Sequence, residues 1–312
     1  MDSWSAKVVP AIAWGVFTVI VLATAKVPDS QSMLLVWLGP AMIVFSLREP
    51  RRRLARLVRD WSPFVGVLVV YDRLRGIADG LLFPAHTLPQ IRLEVALFGR
   101  PVPTVWLQEH LWHGAADLRW WDYAVWLVYL THFIATPVLA GVLWVSLHRH
   151  FTRFATMVCG LAAVGFATYV LFPATPPWLA AQNGELGPSH RLVPVIWAHV
   201  PIQNFDSLFT HGVRFANNVA AMPSLHAAYA LLVALFLWRI APSWTRPLLV
   251  LYPPAMAFAL VYAGEHYVVD CVAGWLYAAA VFVAVDRWFA RVGDEQADAE
   301  AQLFEPAPAP AD

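Results

Sequence analysis

The chain has 312 residues, of which 59% are hydrophobic and only 13% are charged, and its net charge at neutral pH is zero. Soluble domains carry about 25% charged residues, so this composition excludes an ordinary soluble protein and is typical of a membrane protein. The balanced charge gives no indication of a nucleic-acid partner. The two cysteines, Cys159 and Cys271, define neither a disulfide framework nor a zinc site.

Eight stretches of the chain approach the 20 or so apolar residues that a membrane-spanning helix needs. In chain order they are 8–25, 32–47, 61–83, 121–147, 154–172, 226–241, 247–264 and 268–290. We therefore expect an all-α fold, a polytopic membrane helix bundle with about eight transmembrane helices. The first stretch ends in Ala23-Thr24-Ala25, which resembles a signal-peptidase site, but it is longer than a usual signal core and favours a retained helix.

Arginine placement predicts the orientation. The loop at 48–60 contains six arginines (Arg48, Arg51, Arg52, Arg53, Arg56 and Arg59), and short loops of this kind stay in the cytoplasm. When the predicted membrane crossings are counted from this loop, the basic clusters at 148–153, 239–246 and 287–291 also lie in the cytoplasm. We therefore expect a multi-pass plasma-membrane protein with both termini cytoplasmic.

The connections at 84–120 and 173–225 then face outwards. The first contains amphipathic pieces at 91–98 and 102–112 that suit the plane of the lipid headgroups. The second is rich in proline, which ends helices and stiffens loops. From about residue 292 the chain is acidic and rich in Ala and Pro, which predicts a disordered cytoplasmic tail, 292–312.

Three polar groups of residues fall on the same outer side of the predicted bundle. They are 71–76, with Arg73 and Arg75, 223–226, and 264–270. Ionisable side chains at the centre of a spanning helix cost about 2.5–3.5 kcal/mol each on insertion scales, so their presence asks for a function. Their placement in one leaflet favours a single polar site.

His266 and Asp270 are four residues apart and share one helix face. A carboxylate that accepts a hydrogen bond from one imidazole nitrogen fixes the tautomer and leaves the other nitrogen as a nucleophile or base. A structural ion pair that ties two helices together is the alternative, and the spacing alone favours neither.

Pro223 and Ser224 predict a helix start with Ser224 as its N-cap. The free backbone N–H groups there suit an anion, and His226 beside them suits a general acid. Taken alone, His226 favours a structural histidine at the membrane surface over a general acid.

The string P-S-L-H at 223–226, followed by H-Y-x-x-D at 266–270 and preceded by F-P-x-x-P-P-W at 172–178, resembles the type-2 phosphatidic acid phosphatase superfamily. The resemblance is closer to its inositol phosphorylceramide synthase-like branch and covers roughly 61–290. It implies a six-helix phosphatase-like catalytic core at 61–291, preceded by two additional helices and the basic loop in 1–60.

The resemblance implies His266 as a nucleophile that forms a phosphohistidine, Asp270 as the residue that orients it, and His226 as the general acid. It implies no metal and no cofactor. The Ser-Arg pair of the phosphatase branch is replaced here by Ala259 and Leu260, and the early Lys and Arg-Pro motif is absent. Because a phosphoryl transition state needs cations, other arginines must supply them. The residues expected to bind substrate are Arg75, Arg73, Ser224, Arg214 and Tyr267.

The expected function is transfer, at the extracytoplasmic face, of a phospho-headgroup such as phosphoinositol from a phospholipid to a hydroxyl acceptor. Hydrolysis of a polyprenyl or diacylglycerol phosphate is the alternative within the same chemistry, and a non-enzymatic transporter is the alternative outside it. The expected partners are the lipid substrate and the bilayer; the sequence does not indicate an oligomeric state.

Two weaker features have structural explanations. Glu109, His110 and His113 lack further ligands for a metal, and an interfacial helix explains them. His132 lies within a predicted spanning helix, where we expect a structural hydrogen bond to a neighbouring helix, with a place in the substrate cavity as the alternative.

Overall fold

The structure is a computed structural model that describes residue 55 and residues 58–67, 83–200 and 218–303. Within these ranges the fold is all-α, and the non-helical backbone pairs only at two isolated bridges. The helices are α1 (Leu88–Phe98), α2 (Pro103–Leu111), α3 (Trp120–Ser146), α4 (His148–Leu171), α5 (Pro177–Gln182), α6 (Leu192–Ala198), α7 (Leu225–Leu237), α8 (Arg246–Tyr262) and α9 (Val268–Leu303). Residues 58–67 are also helical, and a 3-10 turn at Ser243–Thr245 precedes α8.

Three of the described helices are long and apolar enough to cross a membrane, namely α3, α4 and the first 25 residues of α9. They confirm the helices predicted at 121–147, 154–172 and 268–290. The stretches at 226–241 and 247–264 correspond to α7 and α8, which are shorter, with 13 and 17 residues. The first two predicted spans and most of the third lie outside the described residues, so the count of eight stays a prediction.

The helix α7 lies at the centre of the bundle and contacts α3, α4, α8 and α9. Its small residues allow this packing: Ala227 and Ala228 have no exposed surface, and neither has Leu232. On α9, Gly274 faces the start of α7 so closely that an added Cβ would overlap the backbone carbonyl oxygen of Ser224. The absence of a side chain at Gly274 therefore brings the first turns of α7 and α9 together.

The connection predicted to face outwards contains α1 and α2, close to the predicted amphipathic pieces. The polarity of α1 is inverted relative to a helix of a soluble protein. Gln90 and Glu94 are buried, while Leu93, Leu97 and Phe98 are 46%, 61% and 51% exposed. An apolar outer face of this kind suits contact with lipid, and the polar face is directed into the protein.

At the other end of the chain, α9 continues to Leu303, so the predicted start of the tail at residue 292 lies within this helix. Residues 304–312 lie outside the described part of the chain. The described cysteines are both free thiols, with Cys271 buried and Cys159 partly buried, as expected for small core residues.

Candidate active site

The F-P-x-x-P-P-W segment holds the two histidine-bearing segments together through its backbone. Ala174 accepts a hydrogen bond from the amide of Ala221 at 3.1 Å and donates to the carbonyl of Val219 at 2.6 Å. Four residues later, the amide of Trp178 donates to the carbonyl of Gly264 at 3.1 Å. This proline-rich segment is rigid, and its hydrogen bonds to both sides set the distance between the P-S-L-H and H-Y-x-x-D segments.

His266 is 5% exposed, and its Nδ1 atom lies 2.9 Å from the carbonyl oxygen of Ala221. Since a carbonyl only accepts, this contact assigns the proton to Nδ1 and leaves the lone pair on Nε2. The Asp270 carboxylate is further away, with Oδ2 at 3.8 Å from Nδ1. The tautomer expected from the sequence is therefore held mainly by a backbone carbonyl, with the carboxylate placed to stabilise a positive charge on the ring.

Asp270 is completely buried and links α9 to the start of α7. Its Oδ2 accepts the amide of Tyr267 at 2.8 Å, and its backbone carbonyl accepts the amide of Ser224 at 2.9 Å. Its Oδ1 has no hydrogen-bond partner. The carboxylate is thus both part of the helix start and the negative charge nearest to His266.

His226 projects from the first turn of α7 towards His266, and the centroids of the two imidazole rings are 5.5 Å apart. Reacting atoms approach to about 3–3.5 Å, so one phosphoryl group can contact both rings at this separation. The ring of His226 also stacks on Tyr129 of α3, with centroids 5.3 Å apart and an interplanar angle of 23°. The helix α3 therefore fixes the orientation of His226.

A third histidine completes the cluster. The ring centroid of His132 on α3 lies 4.0 Å from that of His226, and His132 is only 8% exposed. Its Nδ1 atom is buried without a hydrogen-bond partner, so the expected structural hydrogen bond is missing at this atom. The ring of His132 therefore lies directly beside the proposed general acid, His226, with Nδ1 unpartnered.

The residues expected to bind substrate divide into two groups. Ser224 is fully buried, and its Oγ accepts the amide of Ala227 at 3.3 Å, which makes it the predicted N-cap of α7. Tyr267 is fully buried against Ile91 and Val269, and its hydroxyl has no partner. The remaining three, Arg73, Arg75 and Arg214, lie outside the described residues.

Arg191 is a buried cation that the sequence did not single out. Its guanidinium binds both carboxylate oxygens of Glu265, at 2.8 and 3.1 Å, and lies over the ring of Trp178, 4.9 Å from its centroid. Burial opposes the charge, but the pair with Glu265 outweighs it and raises the pKa of Arg191. Arg191 thus ties the proline-rich segment to the residue before His266. No local sequence pattern predicts this ion pair, because Arg191 and Glu265 are 74 residues apart in the sequence.

Glu94 was also missed. It is fully buried on α1, and its Oε1 accepts the amide of Val269 at 2.9 Å, one residue before Asp270. The two residues are 175 positions apart, so only the folded chain brings them together. The group of Glu109, His110 and His113 does not form a metal site. The ring of His110 stacks on Trp106, with ring centroids 4.2 Å apart, and no group of three metal-ligating side chains occurs among the described residues.

Residues 104–284 match the family model described as the PAP2 superfamily, which is more than half of the chain. The chain belongs to the PAP2 superfamily. The matched residues contain α3 to α8, α9 as far as residue 284, and the whole His132, His226, His266 and Asp270 cluster. No solved structure matches the chain.

Three curated relatives of this PAP2 protein carry informative names. The phosphoinositol dihydroceramide synthase of Bacteroides thetaiotaomicron is 26% identical over 291 residues, which cover 84% of this chain and 88% of that protein. The inositol phosphorylceramide synthase catalytic subunit of Saccharomyces cerevisiae is 27% identical over 52% of this chain and 41% of its own length. That of Schizosaccharomyces pombe is 33% identical over 39% and 30%.

The chain thus spans less than half the length of the two yeast subunits and most of the length of the bacterial synthase. The family, the branch and the helical membrane architecture agree with what the motifs predict. This PAP2 protein is therefore an enzyme of the lipid phosphatase and phosphotransferase kind.

Proposed function

We propose that this PAP2 protein transfers phosphoinositol from a phospholipid donor to the hydroxyl of a ceramide-type acceptor through a covalent intermediate on His266. The observation that carries the proposal is the facing pair of imidazoles, His226 and His266, with Nδ1 of His266 bound to a carbonyl. The names of the bacterial and yeast relatives support the donor headgroup and the acceptor class.

In the first step, the lone pair on Nε2 of His266 attacks the phosphorus of the donor phosphodiester. The bond between phosphorus and the diacylglycerol oxygen breaks, and His226 gives its proton to that oxygen. The ring of His266 becomes positively charged on forming the N–P bond. The buried carboxylate of Asp270, 3.8 Å from Nδ1, stabilises this charge.

In the second step, the acceptor hydroxyl replaces diacylglycerol beside His226. The neutral imidazole of His226 takes the hydroxyl proton, the oxygen attacks phosphorus, and the N–P bond breaks. His266 returns to its starting form and His226 is protonated again for the next turnover. The two steps need no oxidant, reductant or further proton donor.

The negative charge on the non-bridging phosphoryl oxygens requires cations close to the two histidines. Arg75, Arg73 and Arg214 remain our candidates for this role, because a guanidinium binds two phosphoryl oxygens at once. Arg191 is a weaker candidate, since both carboxylate oxygens of Glu265 already bind it. We place the reaction at the extracytoplasmic leaflet on the arginine distribution of the loops.

The proposal is tested with purified protein, phosphatidylinositol labelled in the inositol ring, and a ceramide or dihydroceramide acceptor. We expect labelled inositol phosphorylceramide to form in the wild-type protein and in His199→Asn, an exposed-histidine control. His226→Asn is expected to lose at least about 10²-fold in rate, the usual contribution of a positioned acid–base group. His266→Asn removes the nucleophile and is expected to lose at least as much.

Two outcomes contradict the proposal in different ways. Release of labelled inositol phosphate at the same rate with and without acceptor would make the protein a hydrolase. Full activity of both histidine variants would exclude catalysis by these two histidines.

A further inference from the structure

The first turn of α9 carries Asp270 and follows directly on His266, so its position decides how the two residues meet. A helix start leaves its first backbone N–H groups without intrahelical partners. Two of them are satisfied here by carboxylates. Asp270 reaches back to the amide of Tyr267 at 2.8 Å, and Glu94 of α1 accepts the amide of Val269 at 2.9 Å.

This arrangement is a capping box completed by a distant helix. In the usual box the residue before the helix is Ser or Thr, whose hydroxyl accepts an amide of the first turn, and an acidic residue reaches back. Asp270 supplies the second contact here, but Tyr267 precedes the helix and its phenol cannot supply the first. Glu94 accepts the amide of Val269 in its place.

Glu94 is an unusual side chain to bury for this purpose alone. It has no exposed surface, and its second oxygen, Oε2, has no hydrogen-bond partner. Gln90, one turn earlier on α1, is 2% exposed and also has both polar atoms unpartnered. The polar side of α1, which faces into the protein, therefore contacts the first turn of α9, the turn that carries Asp270.

We propose that Glu94 is a positioning residue for the His266–Asp270 pair, acting as an external cap on the first turn of α9. This inference rests on the proposed function of His266 and Asp270. Through the cap, Glu94 fixes the Asp270 carboxylate relative to Nδ1 of His266. Through its charge, ionised Glu94 adds to the negative potential that favours the protonated ring.

The charge of Glu94 changes within the working pH range. Burial, with a smaller contribution from the nearby Asp270 charge, raises the pKa of Glu94 from an ordinary 4.5 to about 7, against the lowering effect of the Val269 and Val268 amides. The titratable groups that interact with Glu94 are Asp270, Tyr267 and Cys271 at the start of α9. Burial also raises the pKa of Tyr267, so that phenol stays neutral. Glu94 is thus a carboxylate beside Asp270 whose charge changes near neutral pH.

The test compares Glu94→Gln, which keeps an oxygen for the Val269 amide, with Glu94→Leu, which removes it. Glu185→Gln is the matched control, because Glu185 is an exposed carboxylate whose charge also acts on Tyr267 but which makes no cap. Each variant is assayed for kcat and KM across pH. The pKa of His266 is measured separately from the deuterium exchange of its Cε1 hydrogen by mass spectrometry.

For Glu94→Leu we expect kcat to fall on the order of 10- to 10²-fold with little change in KM, as a misplacement of about 1 Å at a catalytic group produces. For Glu94→Gln we expect kcat to stay near wild type while the acidic limb of its pH profile moves to lower pH. The reason is that a lost negative charge lowers the pKa of a neighbouring imidazole. Glu185→Gln should change none of these quantities.

An unchanged His266 pKa in Glu94→Gln overturns the inference, and this readout holds even if Glu94→Leu does not fold. Equal losses of kcat in both Glu94 variants, with lower thermal stability and an unmoved pKa, would show a merely structural carboxylate. If the wild-type protein shows no turnover at all, the proposed function fails instead. The exchange measurement still decides whether Glu94 acts on His266.

Discussion

At the residue scale, three imidazole rings meet where α3, α7 and the loop before α9 come together. His226 lies between the other two, with ring centroids 4.0 Å from His132 and 5.5 Å from His266. The aromatic rings of Tyr129 and Phe133 border His226 on the α3 side. In the proposed reaction, these aromatic side chains limit the access of water to the substrate, and charge interactions are stronger where water is excluded.

A substitution at His132 shows whether α3 contributes only packing around His226 or also a nitrogen that contacts the substrate. His132→Phe keeps an aromatic ring against His226 but removes both nitrogens. We expect kcat/KM to fall on the order of 10-fold, because the unpartnered Nδ1 is then no longer available to a phosphoryl oxygen or hydroxyl. Steady-state kinetics with the labelled donor measures the change.

Phe133→Leu is the control for altered packing beside the same ring, and we expect it to retain most of the activity. His132→Phe with wild-type kinetics would mean that the third histidine only fills space.

At the element scale, the close contact between α7 and α9 sets the distance between His226 and His266, the two proposed catalytic groups. Ser224 caps α7 and donates its amide to the carbonyl of Asp270 at 2.9 Å, while Gly274 of α9 faces the carbonyl of Ser224. A shift of either helix therefore moves His226 relative to His266. The two helix starts act as one unit.

Gly274→Ala tests this unit, because the added Cβ overlaps the Ser224 carbonyl and forces the helices apart. We expect a lower thermal midpoint in detergent and a kcat reduced on the order of 10-fold or more. Gly160→Ala is the matched control, since its Cβ would lie 3.5 Å from Val281, an ordinary contact. Equal behaviour of the two variants would contradict the proposed role of the contact.

How far the sequence predicts these elements depends on the range of the interaction. The cap at Ser224 follows from the local sequence and could be predicted. The proximity of His266 and Asp270 could be predicted from their spacing, but the shared helix face was wrong, because α9 begins at Val268, after His266, and the two side chains are 3.8 Å apart. The contact of Glu94 with Val269 and the inward polar face of α1 depend on long-range packing, which no local pattern records. The carbonyl of Ala221 was missed as the partner of His266 for the same reason: backbone atoms leave no trace in the sequence.

At the scale of the whole molecule, the described helices form a bundle whose polar site lies at one end. The three histidines and Asp270 lie at or just before the starts of α7 and α9 and within the first half of α3. The exposed apolar residues of α1 add a lipid-facing surface beside the same end. This placement suits substrates whose chains stay in one leaflet while their headgroups reach the histidines.

The outward orientation of this end is tested by labelling intact cells. Cysteines replace Glu109, on the site side, and Arg149, in the first turn of α4 at the opposite end of the bundle, both of which are exposed. A membrane-impermeant maleimide should label Glu109→Cys in intact cells and Arg149→Cys only after permeabilisation. The native Cys159 and Cys271 are partly or fully buried and serve as background. The reverse pattern would place the site in the cytoplasm.

The most direct test of the account is the chemical identity of the covalent intermediate. Protein mixed with phosphatidylinositol in the absence of acceptor is quenched with alkali, which preserves the N–P bond, and its peptides are analysed by mass spectrometry. The account predicts an inositol-phosphoryl group on His266, absent in His266→Asn and discharged by added ceramide. Turnover with no adduct on His266, or an adduct on another residue, would contradict it.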